Sequence, residues 1–331
     1  PKGKVNKAYS LAPVAKRLGD LLEKDVLFLE DCVGKEVEEK TRQVKAGDVL
    51  LLENLRFYPE EEKNDEGFAE QLASLADVYI NDAFSACHRA HASIEAITRF
   101  FPEKGAGFLV KEEITYFTKA LEEPKRPLVA IIGGAKVSGK LEVLENLVQK
   151  VDKLLIGGGM AFTFLKANGI DIGKSLLESD LLDTARTIQN KAEQRGVTVI
   201  LPVDCVVAEK MEATAEYKTV SVKDIPADWM GLDIGEKTLA LFKEALEDAK
   251  TIVWNGPMGA FELKPFSAGT YETINFVADS SALSILGGGD TDAALHNSGR
   301  ANEISFTSTA GGAFLELLKG GTLPGIKALD S

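Results

Sequence analysis

The sequence predicts an α/β protein in which parallel sheets are covered by helices on both faces, organised as two domains. Three observations carry that expectation. Short runs of Val, Ile and Leu without polar interruption alternate with longer segments whose apolar residues recur three and four apart. A chain of 331 residues exceeds what one ordinary hydrophobic core organises. A seam of two prolines around basic residues, Pro124-Lys125-Arg126-Pro127, follows a long helical pattern from Leu109 to Glu123.

Along the chain, Pro1-Lys2-Gly3-Lys4 reads as a loop, and the first strand comes only after a full helix. The expectation is therefore a first domain that lacks its opening strands. The helix shows an apolar stripe of Leu11, Val14, Ala15, Leu18, Leu21 and Leu22, with Ser10 as its N-cap and Pro13 in its first turn. Val26–Leu29, Val49–Leu52 and Val78–Ile80 read as buried strands, with Phe68, Leu72 and Leu75 as a second helical stripe. After the connector helix, strands are expected at Leu128–Ile132, Leu154–Ile156, Val197–Ile200, Ile252–Trp254 and Leu283–Leu286. There is no internal repeat.

Composition excludes several classes of partner. A net charge of -13 argues against nucleic acid, which wants a basic footprint. No apolar run approaches a membrane span and no signal peptide opens the chain, so no membrane partner is expected. Cys32, Cys87 and Cys205 lack metal-ligand spacing and suit a reducing cytoplasm. An anion site on so acidic a protein must be local, built from a few Lys, Arg and backbone N–H groups.

The second half supplies such places. Glycines follow a probable strand at Gly133-Gly134, Gly157-Gly158-Gly159, Gly256-Pro257-Met258-Gly259 and Gly287-Gly288-Gly289, and Gly311-Gly312 opens the last helix. Glycine lets backbone approach a ligand, and a helix N-terminus offers unpaired N–H groups to an anion. Any one such turn could merely pack a helix on a strand. Five in one domain point to a ligand face for phosphates.

Gly134 to Lys140 has the spacing of a Walker A loop, but Leu141 stands where a hydroxyl should hold Mg²⁺, so the match is accidental. Lys136 and Lys140 remain candidates, four apart at the mouth of a strand. Asp290, in the first turn after three glycines, could cap the helix or hold Mg²⁺ on a nucleotide phosphate. Glu262 could reach a ribose hydroxyl or simply be solvated, and His296 is expected on a helix surface. In the first half, Arg56 and Arg89 each follow a strand. They could converge on one phosphate or carboxylate, or pair with Glu53 and Asp82. His88 and His91 beside Asp82 are too little for a metal site.

Taken together, Leu52-Glu53-Asn54-Leu55-Arg56-Phe57, Asn81-Asp82-Ala83-Phe84, His88-Arg89-Ala90-His91, Gly133-Gly134-Ala135-Lys136-Val137, Gly157-Gly158-Gly159-Met160-Ala161, Val253-Trp254-Asn255-Gly256-Pro257-Met258-Gly259 and Gly287-Gly288-Gly289-Asp290 resemble, in order and spacing, the phosphoglycerate kinase family. The resemblance spans the chain to Leu323-Pro324-Gly325. It implies a cytoplasmic, monomeric glycolytic transferase with two Rossmann-like three-layer domains joined by a helix hinge. These would be a phosphoglycerate-binding domain at 1–107, a hinge helix at 108–123, a nucleotide-binding domain at 124–318 and a tail at 319–331 returning to the first domain.

The implied reaction is reversible phosphoryl transfer from 1,3-bisphosphoglycerate to MgADP, giving 3-phosphoglycerate and MgATP. By resemblance, Arg56 and Arg89 would bind phosphoglycerate. Gly133, Gly134, Gly157 and Gly158 would line the adenine and ribose site, and Lys136, Lys140, Asn255, Pro257, Glu262, Asp290 and Thr291 would serve the nucleotide, with Asp290 toward Mg²⁺. Gly288, Gly289, Gly311 and Gly312 would offer N–H groups near the transferring phosphoryl. Lys140, Gly289 and Gly312 would be catalytic. The sequence departs from the family in lacking an upstream His-x-Gly-Arg loop and a Val-Asp-Phe-Asn-x-Pro strand, which would hold a catalytic arginine. Gly139 replaces a common Asp, and Ala310 a usual Gly. The alternative is a non-catalytic nucleotide-binding fragment, with a P-loop NTPase a distant third.

Overall fold

A computed structural model describes residues 1–330. The chain divides into two compact units: one is Pro1–Lys111 with the stretch from Thr322, the other Glu112–Gly321. No helix among the described residues is long and apolar enough to cross a membrane.

In the first unit, β1 (Val26–Leu29) pairs in parallel with β2 (Val49–Leu52), and β3 (Tyr79–Asn81) with β4 (Lys104–Ala106), as two separate sheets. Its core gathers Phe68, Leu72, Ala92, Ile97 and Phe101. The first helix runs Ala12–Leu22, one residue later than Ser10 as N-cap requires. Leu11 occupies the cap without a side-chain bond, while the Ser10 hydroxyl accepts from Ala12 N at 3.3 Å and donates to Glu53 Oε2 at 2.6 Å. Of the predicted stripe only Ala15 is buried; Val14, Leu21 and Leu22 are exposed, as is Leu27 of β1. The apolar spacing marks a helix correctly there without marking a core. The second stripe falls on Glu66–Ala73, capped by Asp65 through Phe68 N at 2.8 Å, and Leu75 lies beyond its end.

The connector is helical from Phe108 to Phe117, then widens into a π-helical turn at Thr118–Glu122. Beyond it come β5 (Leu128–Ile132), β6 (Lys153–Ile156), β7 (Thr198–Ile200), β8 (Asp204–Ala208), β9 (Tyr217–Ser221), β10 (Met230–Ile234), β11 (Thr251–Asn255), β12 (Leu283–Gly287) and β13 (Phe306–Thr307). Six of them form one parallel sheet in the order β13-β12-β11-β5-β6-β7. The chain enters at β5, winds outward through β6 and β7, returns to β11 and winds outward the other way. This is the doubly wound order, with its reversal between β5 and β11.

Strand alternation explains why the sheet reads as apolar throughout. Leu128, Ala130 and Ile132 face one core with the helices 141–147, 161–167, 182–194 and 311–318. Val129 and Ile131 face the other, with Trp254 and the helices 236–247, 268–278 and 289–298. Both faces are covered by helices, which is why the strands are mainly apolar, and the few polar residues of β11 and β12, Thr251, Asn255 and Ser284, are buried as well. A separate antiparallel sheet, β10-β8-β9, was not legible in the apolar pattern.

Candidate active site

The reversal between β5 and β11 places the carboxyl ends of the central strands side by side, where open α/β sheets bind ligands. Gly133-Gly134 leaves β5, Asn255-Gly256 leaves β11, Gly287-Gly288 leaves β12, Gly157-Gly158 leaves β6, and Ser308 follows β13. All five glycine-rich segments therefore lie on one edge of one sheet. Two of them depart from the expected strand-glycine-helix order. After β5 a loop runs from Gly133 to Lys140 before the helix Leu141–Leu147, and after β11 a loop and a 3-10 turn at Lys264–Phe266 precede the helix Ala268–Ala278.

The glycines divide by what surrounds them. A methyl at Gly133 would strike the carbonyls of Pro257 and Gly256, one at Gly157 the Met258 sulfur, one at Gly158 the backbone of Gly134, and one at Gly256 the carbonyl of Gly133. Gly133 N donates to Asn255 O at 3.0 Å and Gly134 N to Pro257 O at 2.9 Å. Gly158 N donates to Met258 O at 2.9 Å. These glycines let three loops pack backbone to backbone. Gly134 and Gly289 differ, since a methyl on either would meet nothing within 4 Å. Gly134 (φ +106°) and Gly288 (φ +106°) also take a conformation that side chains resist. Gly312 is exposed at the start of its helix. Ala310, in place of glycine, has φ -130°, which any residue adopts, so it introduces no strain.

Lys136 and Lys140 both sit on the loop after β5, with Lys140 at the N-cap of 141–147. Lys136 is exposed and Lys140 half-buried. Burial lowers the Lys140 pKa to about 8, and the Asp290 carboxylate partly opposes that shift. The two groups thus share one neighbourhood. Asp290 is exposed in the first turn of 289–298 and caps nothing; among the described residues its carboxylate accepts no hydrogen bond. Asn255 is buried, its Nδ2 donating to Gly287 O at 2.7 Å while its Oδ1 has no partner. Thr291 is fully buried and its hydroxyl accepts from Gly256 N at 2.8 Å, so it ties the β11 loop to the helix. Pro257 is buried, Glu262 is exposed without a partner among the described residues, and His296 is exposed as expected.

Sequence reasoning passed over one buried carboxylate at this edge. Glu113, on the connector helix, accepts from Thr309 N at 2.8 Å and Thr309 Oγ1 at 2.9 Å, anchoring the loop before Gly311-Gly312. Burial raises its pKa against those bonds.

In the first unit, neither arginine pairs with the acids that competed for it. Glu53 is held by Ser10, Leu11 N and Asn54 N, and Asp82 accepts from Val110 N at 3.0 Å. Arg56 is half-buried after β2, and among the described residues its guanidinium has only a long contact to Glu62 at 3.9 Å. Arg89 is exposed and its Nε donates to His88 Nε2 at 3.1 Å. Both arginines act on buried His91, whose pKa is lowered first by desolvation and further by their charges, against Glu61. His91 therefore marks the ground the two guanidiniums share. No group of three or more His, Cys, Asp or Glu side chains among the described residues could hold a metal ion.

The model of one family, phosphoglycerate kinase, matches residues 1–321. The chain belongs to the phosphoglycerate kinase family. Phosphoglycerate kinases of Geotalea uraniireducens and Geobacter metallireducens are each 59% identical to it over 330 residues, covering 100% of this chain and 83% of theirs. The structure of phosphoglycerate kinase from Coxiella burnetii superposes with a TM-score of 0.92 at 42% identity, again over 100% of this chain and 83% of that one. The Pyrococcus horikoshii structure gives 0.83 at 32% identity over 97% of this chain. Family membership agrees with the doubly wound sheet and with the order of the glycine-rich strand ends.

Proposed function

We propose that residues at the strand ends of the second unit bind the nucleotide of a phosphoglycerate kinase reaction, and that Arg56 and Arg89 of the first unit bind the phosphoglycerate. The chain is a phosphotransferase that moves a phosphoryl group reversibly between 1,3-bisphosphoglycerate and ADP, giving 3-phosphoglycerate and ATP. The observation carrying the residue assignment is Lys140. A half-buried ammonium within electrostatic reach of an unbonded carboxylate, on an edge where Gly134 and Gly289 face open space, suits a group awaiting phosphate.

Phosphoryl transfer asks the protein for alignment and charge stabilisation, with no covalent step. Lys136 and Lys140 supply positive charge to the phosphates. The N–H groups of Gly288, Gly289, Gly311 and Gly312 supply fixed dipoles at helix starts. Gly133, Gly134, Gly157 and Gly158, with Asn255, Pro257, Glu262 and Thr291, form and support the nucleoside part. Mg²⁺ suits Asp290, because that ion commonly takes one or two carboxylates together with substrate phosphates and water. Bound there, it neutralises phosphate charge. A cytoplasmic monomer is the accompanying expectation.

Calorimetry with MgADP tests the nucleotide assignment, and Asp290→Asn sharpens it. The variant should weaken MgADP binding by about tenfold, roughly 1.4 kcal/mol, while metal-free ADP binds nearly as before. Equal losses with and without metal would remove Asp290 from the ion. For the other ligand, Arg89→Ala should raise the KM for 3-phosphoglycerate by ten- to a hundredfold, about 1.5–3 kcal/mol for bonds to a charged group, and leave the Kd for MgADP unchanged. Equal effects on both ligands would count against separate binding groups.

A further inference from the structure

We propose that Glu178 is a positioning residue for phosphoryl transfer, setting the loop that presents Lys136 and Lys140. The proposal rests on the reading that this loop serves the nucleotide.

The loop has little to hold it by itself. Val137 is fully buried and pins it at one point. From there Lys140 N donates to Val137 O at 2.8 Å, closing a tight turn with Ser138 and Gly139 at its exposed tip. A methyl on Gly139 would meet Lys136 O at an unstrained 3.9 Å, and glycine has the weakest backbone preference of any residue, so the tip has little of its own to fix its shape.

Glu178 supplies the missing constraint from outside. Its carboxylate accepts from Ser138 N at 3.0 Å and from the Ser138 hydroxyl, and it lies close enough to the Val137 backbone N–H to feel that dipole. Although desolvation opposes the charge, these bonds and the nearby Lys136 hold its pKa below the usual carboxylate range. Glu178 is itself anchored, because its N–H donates to Thr163 Oγ1 at 3.2 Å and Thr163 is buried on the helix 161–167. A continuous path therefore runs from that helix through Glu178 to the turn whose last residue is Lys140. The next backbone bond, Leu144 N to Lys140 O at 2.8 Å, starts the following helix, so the turn also sets where that helix begins.

Acceptance by ionised oxygen is stronger than acceptance by a neutral one, and a carboxylate has no donor to misplace. Glutamine is nearly the same shape but turns one oxygen into an NH₂ facing backbone N–H. Aspartate keeps the charge at shorter reach. Ser138→Ala removes the hydroxyl bond and leaves the Ser138 backbone donor on the carboxylate.

The test compares the complete enzyme with its Glu178→Gln, Glu178→Asp, Ser138→Ala and Lys136→Ala variants. Each is measured for Kd of MgADP, KM of both substrates, kcat and Tm. Lys136→Ala tests the underlying reading and should lose nucleotide binding or turnover by tenfold or more. Glu178→Gln should lose five- to twentyfold in kcat/KM for MgADP, with the KM for 3-phosphoglycerate unchanged. Glu178→Asp should recover part of that loss, and Ser138→Ala should cost less than threefold. If Lys136→Ala is impaired while Glu178→Gln keeps wild-type nucleotide kinetics, the positioning role is wrong and the nucleotide reading stands. If Lys136→Ala is also unimpaired, the reading fails and Glu178 has nothing to position. A fall in Tm for Glu178→Gln, with both substrates' parameters changed equally and no recovery in Glu178→Asp, assigns Glu178 to stability alone and overturns the proposal.

Discussion

Lys140→Met should lower kcat by about a hundred- to a thousandfold, which is what losing one stabiliser of developing charge costs in a low-dielectric site, roughly 3–4 kcal/mol. The same variant should not lower Tm. Burial opposes the charge on this side chain, and no acceptor binds its ammonium among the described residues, so its removal relieves a cost in the free protein. A variant that loses both stability and activity would make Lys140 a structural residue. Activity lost at constant or raised Tm would fit a group held ready for a ligand.

The lysine also predicts a pH dependence. With its pKa lowered to about 8, the ammonium of the free enzyme is lost as pH rises through that value. If the charged form works on phosphate, kcat/KM for the nucleotide falls on that limb, because kcat/KM reports groups of the free enzyme. Bound phosphate favours the charged form, so the corresponding limb in kcat lies at higher pH. Lys140→Arg stays charged and should flatten the alkaline limb at a reduced maximum. Stability moves the opposite way. The folded pKa lies below the ordinary 10.5, so between about 8 and that value the unfolded chain binds more protons and this group's contribution becomes more favourable as pH rises. An alkaline limb that persists in Lys140→Arg belongs to another group.

How much of this was legible depended on whether a residue's partner lies nearby in sequence. The central sheet was readable because β5, β6 and β11 are buried on both faces and carry almost nothing polar. The sheet of β8, β9 and β10 was not. Asp204 in β8 and Asp233 in β10 break the apolar runs, yet both carboxylates are buried and satisfied by backbone N–H groups of Thr238 and Gly269 at 2.8 and 2.7 Å. The Tyr217–Ser221 strand is largely exposed. The glycine clusters and the two lysines stand out in the sequence because each follows its strand there. Glu178 and Glu113 were missed because their partners lie 40 and 196 residues away. The resemblance places Thr291, next to Asp290, with the nucleotide, and its hydroxyl is taken up by Gly256 N, a bond no sequence pattern shows. One residue of helical advance separates an exposed carboxylate from a buried hydroxyl.

The glycines offer the sharpest separation of packing from ligand binding. Gly133→Ala should cost at least about 3 kcal/mol, the upper end for overpacking, because its methyl would meet backbone carbonyls rather than a movable side chain. For a unit of this size that is roughly 6–12 °C in Tm. Activity would then disappear for a structural reason. Gly289→Ala should behave in the contrary manner. Its φ is not in the left-handed range, a methyl meets nothing within 4 Å, and alanine is the better helix former by about 1 kcal/mol. Stability should therefore hold or rise. Yet Gly289 N lies 3.7 Å from the position a methyl on Gly311 would take, so the two helix starts adjoin, and the proposed nucleotide assignment would put a phosphoryl group in the open space beside them. A methyl there should cost ten- to a hundredfold in kcat, about 1.4–3 kcal/mol. Thermal melts and initial rates on the two variants decide the matter. A Gly289→Ala enzyme with full turnover would show that this space is not used, and the phosphate site would have to lie elsewhere along the strand ends.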